Sequence, residues 1–86
     1  NLPVLAEYCM PLIKMKGYFI AMKGPGAEQE LEAAGNALDI LGSGEPEVLP
    51  LTLPGGEERS LVICQKLRFT PKGYPRHGVT ILQHPL

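Results

Sequence analysis

Two cations stand at positions where chain direction changes. Lys23 ends a short apolar run, Tyr18-Phe-Ile-Ala-Met22, and is followed by Gly24-Pro25-Gly26; Arg59 opens a second run, Ser60-Leu-Val-Ile-Cys64, after the loop Pro54-Gly-Gly-Glu-Glu58. Ligands of open α/β sheets bind beyond the carboxyl ends of parallel strands. A strand over 18–23 that pairs antiparallel with the second run would therefore bring Lys23 and Arg59 to one rim, with Gly24 letting a substrate approach the backbone. There Arg offers a planar fork and Lys a point charge, for holding phosphate or polarising a base carbonyl. The same pair also reads as solvated strand-end charges answering Glu57 and Glu58.

Other constellations carry less. Gly24-Pro-Gly26 lacks the third glycine of a dinucleotide fingerprint and the Gly-Lys-Ser/Thr ending of a P-loop, and so reads as a turn. His77 and His84 lie in a Pro/Gly-rich tail without Cys or carboxylate nearby, which supports neither a metal site nor a nucleophile relay. Glu28, Glu30 and Glu32 fall at the start of a helical pattern, where carboxylates offset the helix dipole. Cys9 and Cys64 sit far apart in apolar runs; they read as buried thiols in a reducing compartment, without a disulfide framework.

The elements that position these residues follow from pattern. Residues 3–13 read as a largely buried helix, with Pro3 tolerated in the first turn and Pro11 able to end or kink it. The run at 18–23 is apolar on both sides, as in a parallel strand covered on both faces. Ala27 to Leu41 places Leu31, Ala34, Leu38 and Leu41 at helical spacing, with Gly42 as its stop. Residues 48–53 and 59–67 flank a Pro/Gly loop and read as an antiparallel hairpin; Pro50, lacking an N–H, assigns its strand to an edge and leaves the second strand for the sheet interior. Residues 68–86 read as an extended, basic, Pro-rich tail with at most a short strand at Val79–Leu82. This divides the chain into 1–67 and 68–86.

Composition sets the limits. With 86 residues, 44% of them apolar, and a net charge of −1, the chain is one small domain or part of a larger one. So short a chain has a marginal core unless something else completes it. No run approaches the ~18 apolar residues of a membrane span, and no signal-peptide pattern opens the chain, so the reading is soluble and cytoplasmic. The near-zero charge hides segregation: residues 1–27 carry +2, 28–58 carry −8 and 59–86 carry +5. An acid-free basic end with Phe69 and Tyr74 can meet phosphate and stack on bases, or it can be a tail docked on the acidic middle. A parallel strand at 18–23 finds no earlier strand here to pair with, so part of the sheet is expected to come from elsewhere.

Taken in order, Leu5-Ala-Glu-Tyr-Cys-Met-Pro-Leu-Ile13, Gly17-Tyr-Phe-Ile-Ala-Met-Lys-Gly24, Glu28-Gln-Glu-Leu-Glu32, Leu53-Pro54, Arg59-Ser-Leu-Val-Ile63, Thr70-Pro-Lys-Gly-Tyr-Pro-Arg76 and Pro85-Leu86 closely resemble the C-terminal portion of the glucose-inhibited division protein B family. The resemblance covers nearly the whole chain. It implies a 16S ribosomal RNA guanine-N7 methyltransferase that uses S-adenosylmethionine, with 16S rRNA or the small ribosomal subunit as partner. The implied fold is α/β: the C-terminal part of a Rossmann-like class I methyltransferase sheet, ordered helix, parallel strand, helix, antiparallel hairpin, extended tail. The donor-binding half would lie upstream, so these residues alone are expected to be inactive and their contacts to the donor unknown. Lys23 and Arg59 match basic positions implied to lie near the active-site rim, and Gly24 beside them and Arg76 in the tail are the further candidates for contact with RNA or substrate; no residue is assigned as a general base or metal ligand. The sequence departs from the family at Lys16, where a glycine is usual, and in the tail, where His77 replaces an arginine and Val79, Ile81 and Gln83 replace Gly, Pro and Lys. Two further readings belong to other classes: a non-catalytic module that completes its sheet by dimerising or pairing with another chain, and an inert domain with a nucleic-acid-binding tail.

Overall fold

A computed structural model describes all residues 1–86. Helix α1, Leu2–Cys9, is capped by Asn1, whose Oδ1 accepts a hydrogen bond from the Val4 N–H at 3.2 Å. Pro11 has no N–H to continue the α-helical ladder, and the chain tightens into a 3-10 turn over Met10–Leu12. Only one stripe, Leu2, Ala6, Glu7 and Met10, is buried; Leu5, Tyr8 and Leu12 face outward, so this helix is less enclosed than its composition suggests. Lys16 follows with φ 67, a left-handed conformation in which its Cβ costs about 1 kcal/mol or more. A glycine would carry no such strain there.

Strands β1 (Tyr18–Lys23), β2 (Glu47–Thr52) and β3 (Glu58–Gln65) form one sheet in the order β1-β3-β2. Both pairings are antiparallel. The parallel partner expected for residues 18–23 is therefore not found within these residues: β1 has β3 on one side and an open edge on the other. Nor is β1 covered on both faces. Phe19 and Ala21 are buried, while Tyr18, Ile20 and Met22 are each more than half exposed. Apolarity on both sides of a strand reports what its faces can accept, and here helices cover only one.

That covered face holds the core. Phe19 and Ala21 of β1 and Val62 and Cys64 of β3 pack with Leu2, Ala6 and Met10 of α1. Helix α2, Ala27–Leu41, contributes Ala34, Ala37, Leu38 and Leu41. Burial raises the pKa of the Cys64 thiol, partly offset by a hydrogen bond with Ser43. Lys66 extends from the end of β3 into the interior, where its Nζ donates to the Met10 carbonyl at 3.1 Å and ties the 3-10 turn to the sheet.

Helix α2 stops where the glycine pattern indicates. Gly42 has φ 100, the Gly42 and Ser43 N–H groups donate back to the Asp39 and Leu38 carbonyls, and a Cβ at position 42 would collide with the Arg68 carbonyl. Beyond β2 the hairpin turn is closed by the Leu53 N–H on the Glu57 carbonyl, at 2.7 Å. Counting back in twos from that bonded pair, Leu51, Leu49 and Glu47 face β3 while Pro50 faces outward. Pro50 thus costs the ladder no bond and leaves a gap in the outer edge.

The tail is not extended. Arg68 Nη2 donates to the carbonyls of Asp39 and Ser43, and Thr70 Oγ1 to that of Leu41, so the tail caps the C-terminal end of α2. Tyr74 and Leu86 pack against the core. Residues Gly78–Gln83 form a short helix, α3, where an extended tail with at most a short strand at Val79–Leu82 was expected. The β-branched trio Val79, Thr80 and Ile81 favours strand locally, but no sheet edge takes it up. Ile81 is instead fully buried on the α1 side, and burial outweighs a propensity difference well below 1 kcal/mol per residue.

Candidate functional site

The register of β1 on β3 pairs Lys23 with Ser60, which sets Arg59 one residue further along the same end of the sheet. Alternation along β3 then separates the cations by face. Ser60 shares the helix-covered side with Val62 and Cys64, and Lys23 lies opposite it on that side; Arg59 belongs with Leu61 and Ile63 on the open side. The expected rim exists as an edge carrying one cation on each side of the sheet.

Each cation is held by a different carboxylate. Lys23 Nζ lies 3.0 Å from Glu30 Oε1, and the same oxygen accepts the Leu2 N–H at 2.8 Å. The hydrogen bond from Lys23 is the main cause of a lowered Glu30 pKa, working against the desolvation that burial imposes. Glu30 therefore joins the start of α1, the end of β1 and the first turn of α2, a role beyond offsetting the helix dipole. Arg59 is placed by its own loop: Nη2 lies 2.7 Å from Glu57 Oε2 and Nη1 donates to the Glu58 carbonyl at 2.8 Å. Glu57 is exposed and Arg59 only partly covered, so this pairing is weak and exchangeable.

Between them the backbone is accessible. A Cβ built at Gly24 would meet nothing within 4 Å. Gly24, Pro25, Glu58, Arg59 and Ser60 share an open depression of about 510 Å³ with the β2 residues Pro50 to Thr52. Helix α2 begins at the same place, and its N-cap, Gly26, supplies no side-chain acceptor for the first-turn N–H groups. The depression thus offers a guanidinium, a hydroxyl and exposed backbone, with the Glu58 carboxylate beside them, while the Lys23 ammonium lies on the other face in its pair with Glu30; the guanidinium is the group suited to phosphate oxygens or to the carbonyl edge of a base.

Arg76 is bound elsewhere. Its Nε and Nη2 fork onto Glu7, at 2.9 Å to Oε2 and 2.8 Å to Oε1; its backbone N–H donates to Oε2 at 2.8 Å, and Nη2 also reaches the His84 carbonyl. Glu7 is fully buried. The Arg76 side-chain hydrogen bond holds the Glu7 carboxyl below its ordinary pKa against desolvation, and Glu7 in turn raises Arg76. These bonds run to α1 and the end of α3, not to the β1–β3 edge. A lone acid on the apolar stripe of α1 was the signal for this pair, since a buried carboxylate needs a cation and the acid-free tail could supply one.

No group of three His, Cys, Asp or Glu side chains converges as a metal site, and His77 and His84 flank α3 in solvent. Of the two first-turn acids after the strand-to-helix turn Gly24–Gly26, Glu30 is committed to Lys23 and Leu2, and Glu28 has no ion-pair partner. No helix is long and apolar enough to cross a membrane.

Comparison with known proteins gives a consistent result. The chain is 45% identical over its whole length to a ribosomal RNA small subunit methyltransferase G of Lactobacillus johnsonii, covering 36% of that protein. It is 50% identical to the protein of the same name from Symbiobacterium thermophilum, again over the whole chain and 35% of the relative, and 48% identical to that of Moorella thermoacetica over 95% of the chain. The chain therefore spans about a third of the length of these relatives, and the match is to their C-terminal part. No family model matches.

Proposed function

From its correspondence to the C-terminal part of the ribosomal RNA small subunit methyltransferase G family, we propose that this chain closes the sheet of a cytoplasmic enzyme methylating N7 of a guanine in bacterial 16S rRNA, with S-adenosylmethionine as donor. The observation that carries the reading is homology over the whole chain at 45–50% identity to proteins bearing that name. The fold supports it: β1 offers an unpaired edge and an uncovered apolar face, the features of a sheet that continues beyond these residues. Completed on the β1 side by a parallel strand, it becomes the Rossmann-like class I arrangement. In this reading the donor is held by the part of the enzyme outside these residues, and the isolated chain is inactive.

In this reading the chain's own residues bind and orient RNA. Arg59 and Lys23 meet phosphate or the guanine carbonyl, and Gly24 admits the nucleotide to the backbone. Guanine N7 already presents a lone pair, so no general base is needed and placement of the base limits the rate. Glu30 holds Lys23 in place, while Glu57 gives Arg59 up to a phosphate at little cost. Arg76, committed to Glu7, holds the tail to α1 and makes no contact with RNA in this reading. The test is nucleoside analysis of small-subunit rRNA incubated with the full-length protein and labelled donor: 7-methylguanosine at a single position is expected, and label on any other atom would overturn the assignment.

The open edge and the exposed Tyr18, Ile20 and Met22 favour a second reading, in which the chain completes its sheet on another chain without catalysis. Sedimentation separates the two: dimers of the full-length protein paired through β1 support it, and a monomer in which those residues are protected excludes it.

A further inference from the structure

Reaction at N7 does not by itself select guanine, because adenine carries a lone pair at the same ring position. The commonest protein contact to guanine, an arginine fork on O6 and N7, is also unavailable, since it covers the atom that must react. Selection therefore falls to the Watson–Crick edge, the edge by which extruded and single-stranded bases are read. Guanine alone of the four bases presents two adjacent N–H donor groups there, N1–H and the N2 amino group, beside the O6 acceptor. A carboxylate takes both donors at once.

The depression at the sheet edge holds one such carboxylate. The register sets Thr52 opposite Glu58 and Pro50 opposite Ser60, so the side chains of Thr52, Glu58 and Ser60 share one face, and all three residues line the depression with Gly24 and Pro25. Glu58 is exposed and has no ion-pair partner within the chain. Arg59, the next residue, turns its guanidinium to Glu57 and to the Glu58 backbone carbonyl, which leaves the Glu58 carboxylate unneutralised. The hydroxyls of Ser43 and Thr70 donate within the chain, whereas those of Thr52 and Ser60 do not. A free carboxylate repels phosphate and favours a group that offers N–H donors.

We propose that Glu58 selects guanine: its two carboxylate oxygens accept N1–H and N2–H of the target base, the Ser60 hydroxyl donates to O6, and N7 stays free for the methyl group. Adenine turns the N1 lone pair toward the same carboxylate and is rejected. The inference rests on the methylation reading above and leaves Arg59 to the backbone phosphate. The larger part of the protein, outside these residues, could instead meet Glu58 with a Lys or Arg side chain. Such an ion pair affects guanine and its analogues equally, so the test is built on the base and not on rate alone.

The full-length protein is given small-subunit rRNA with guanosine or inosine at the methylated position; inosine keeps N7, O6 and N1–H and lacks only the N2 amino group. For the parent protein kcat/KM is expected to favour guanosine about tenfold or more. Glu58→Gln lowers activity on guanosine about tenfold and brings the guanosine-to-inosine ratio to within about threefold of one, with the thermal midpoint unchanged. Ser60→Ala slows both substrates alike, because inosine retains O6. Glu32→Gln, which removes an equal charge elsewhere on α2, leaves rate and ratio at the parent values. A parent-like ratio in Glu58→Gln, with both substrates slowed alike, overturns the inference and leaves the methylation reading standing. Absence of 7-methylguanosine with the parent protein overturns both.

Discussion

The two ends of the basic segment are held in opposite ways. At the sheet edge Arg59 rests on Glu57 and on the carbonyl of its own neighbour, among solvent-facing partners with open backbone beside it. In the tail Arg76 is forked onto a carboxylate with no solvent contact, with its own backbone N–H and the His84 carbonyl completing the set. An ion pair in water is worth little and exchanges readily, whereas removing one partner of a buried pair strands a charge in a low-dielectric interior. The same residue type is thus left available to a ligand in one region and holds the fold in the other. What distinguishes them is the burial of the partner.

The strongest way to break this contrast is Arg76→Ala, which leaves Glu7 buried and unpaired. We expect the largest loss of stability here, a fall of about 10 °C in the thermal midpoint of the full-length protein. Glu7→Gln in the same background should recover part of it, because the stranded charge is gone; failure to recover would mean that Arg76 acts mainly through packing.

Acid provides the next probe. Glu7 has a lowered folded-state pKa, so its stabilising contribution is fully present above the ordinary carboxylate pKa and is lost as pH falls through the folded value. Stability should hold from neutral pH down to about pH 4 and decline below it. Glu7→Gln should flatten that decline, as measured by denaturant unfolding across the pH series.

Lys23→Met is expected to cost about 1 kcal/mol, since its pair with Glu30 is half-buried and the carboxylate keeps its bond from the Leu2 N–H. Denaturant midpoints measure it, and a loss as large as that of Arg76→Ala would erase the distinction between edge and tail. The smallest effect belongs to Glu57→Ala, below about 0.5 kcal/mol. By freeing Arg59, this change should leave RNA binding unchanged or slightly stronger in a filter-binding assay.

Local punctuation was the most legible feature of the sequence. Gly42 ends α2, Pro11 ends the α-helical part of α1, and Pro50 marks an outer strand, because each acts through its own backbone. The neighbourhood of Lys23 and Arg59 followed from one correct pairing, β1 with β3. That they lie on opposite faces required the register, which no turn residue specifies. The less legible features were set at a distance. The apolar β1 pattern describes a strand with both faces covered, yet one of its faces finds no cover within these residues. Ile81 is drawn into a helix by a site on the α1 side some seventy residues earlier in sequence. Arg76 shows no local sign of its partner, since Glu7 lies 69 positions away.

The central claim is that Arg59 works on RNA and not on the donor or the fold. In the full-length protein, Arg59→Ala should lower methylation of small-subunit rRNA about tenfold or more, with the thermal midpoint and the affinity for S-adenosylmethionine measured by calorimetry both unchanged. An equal loss of donor affinity, or methylation at the parent rate, would contradict it.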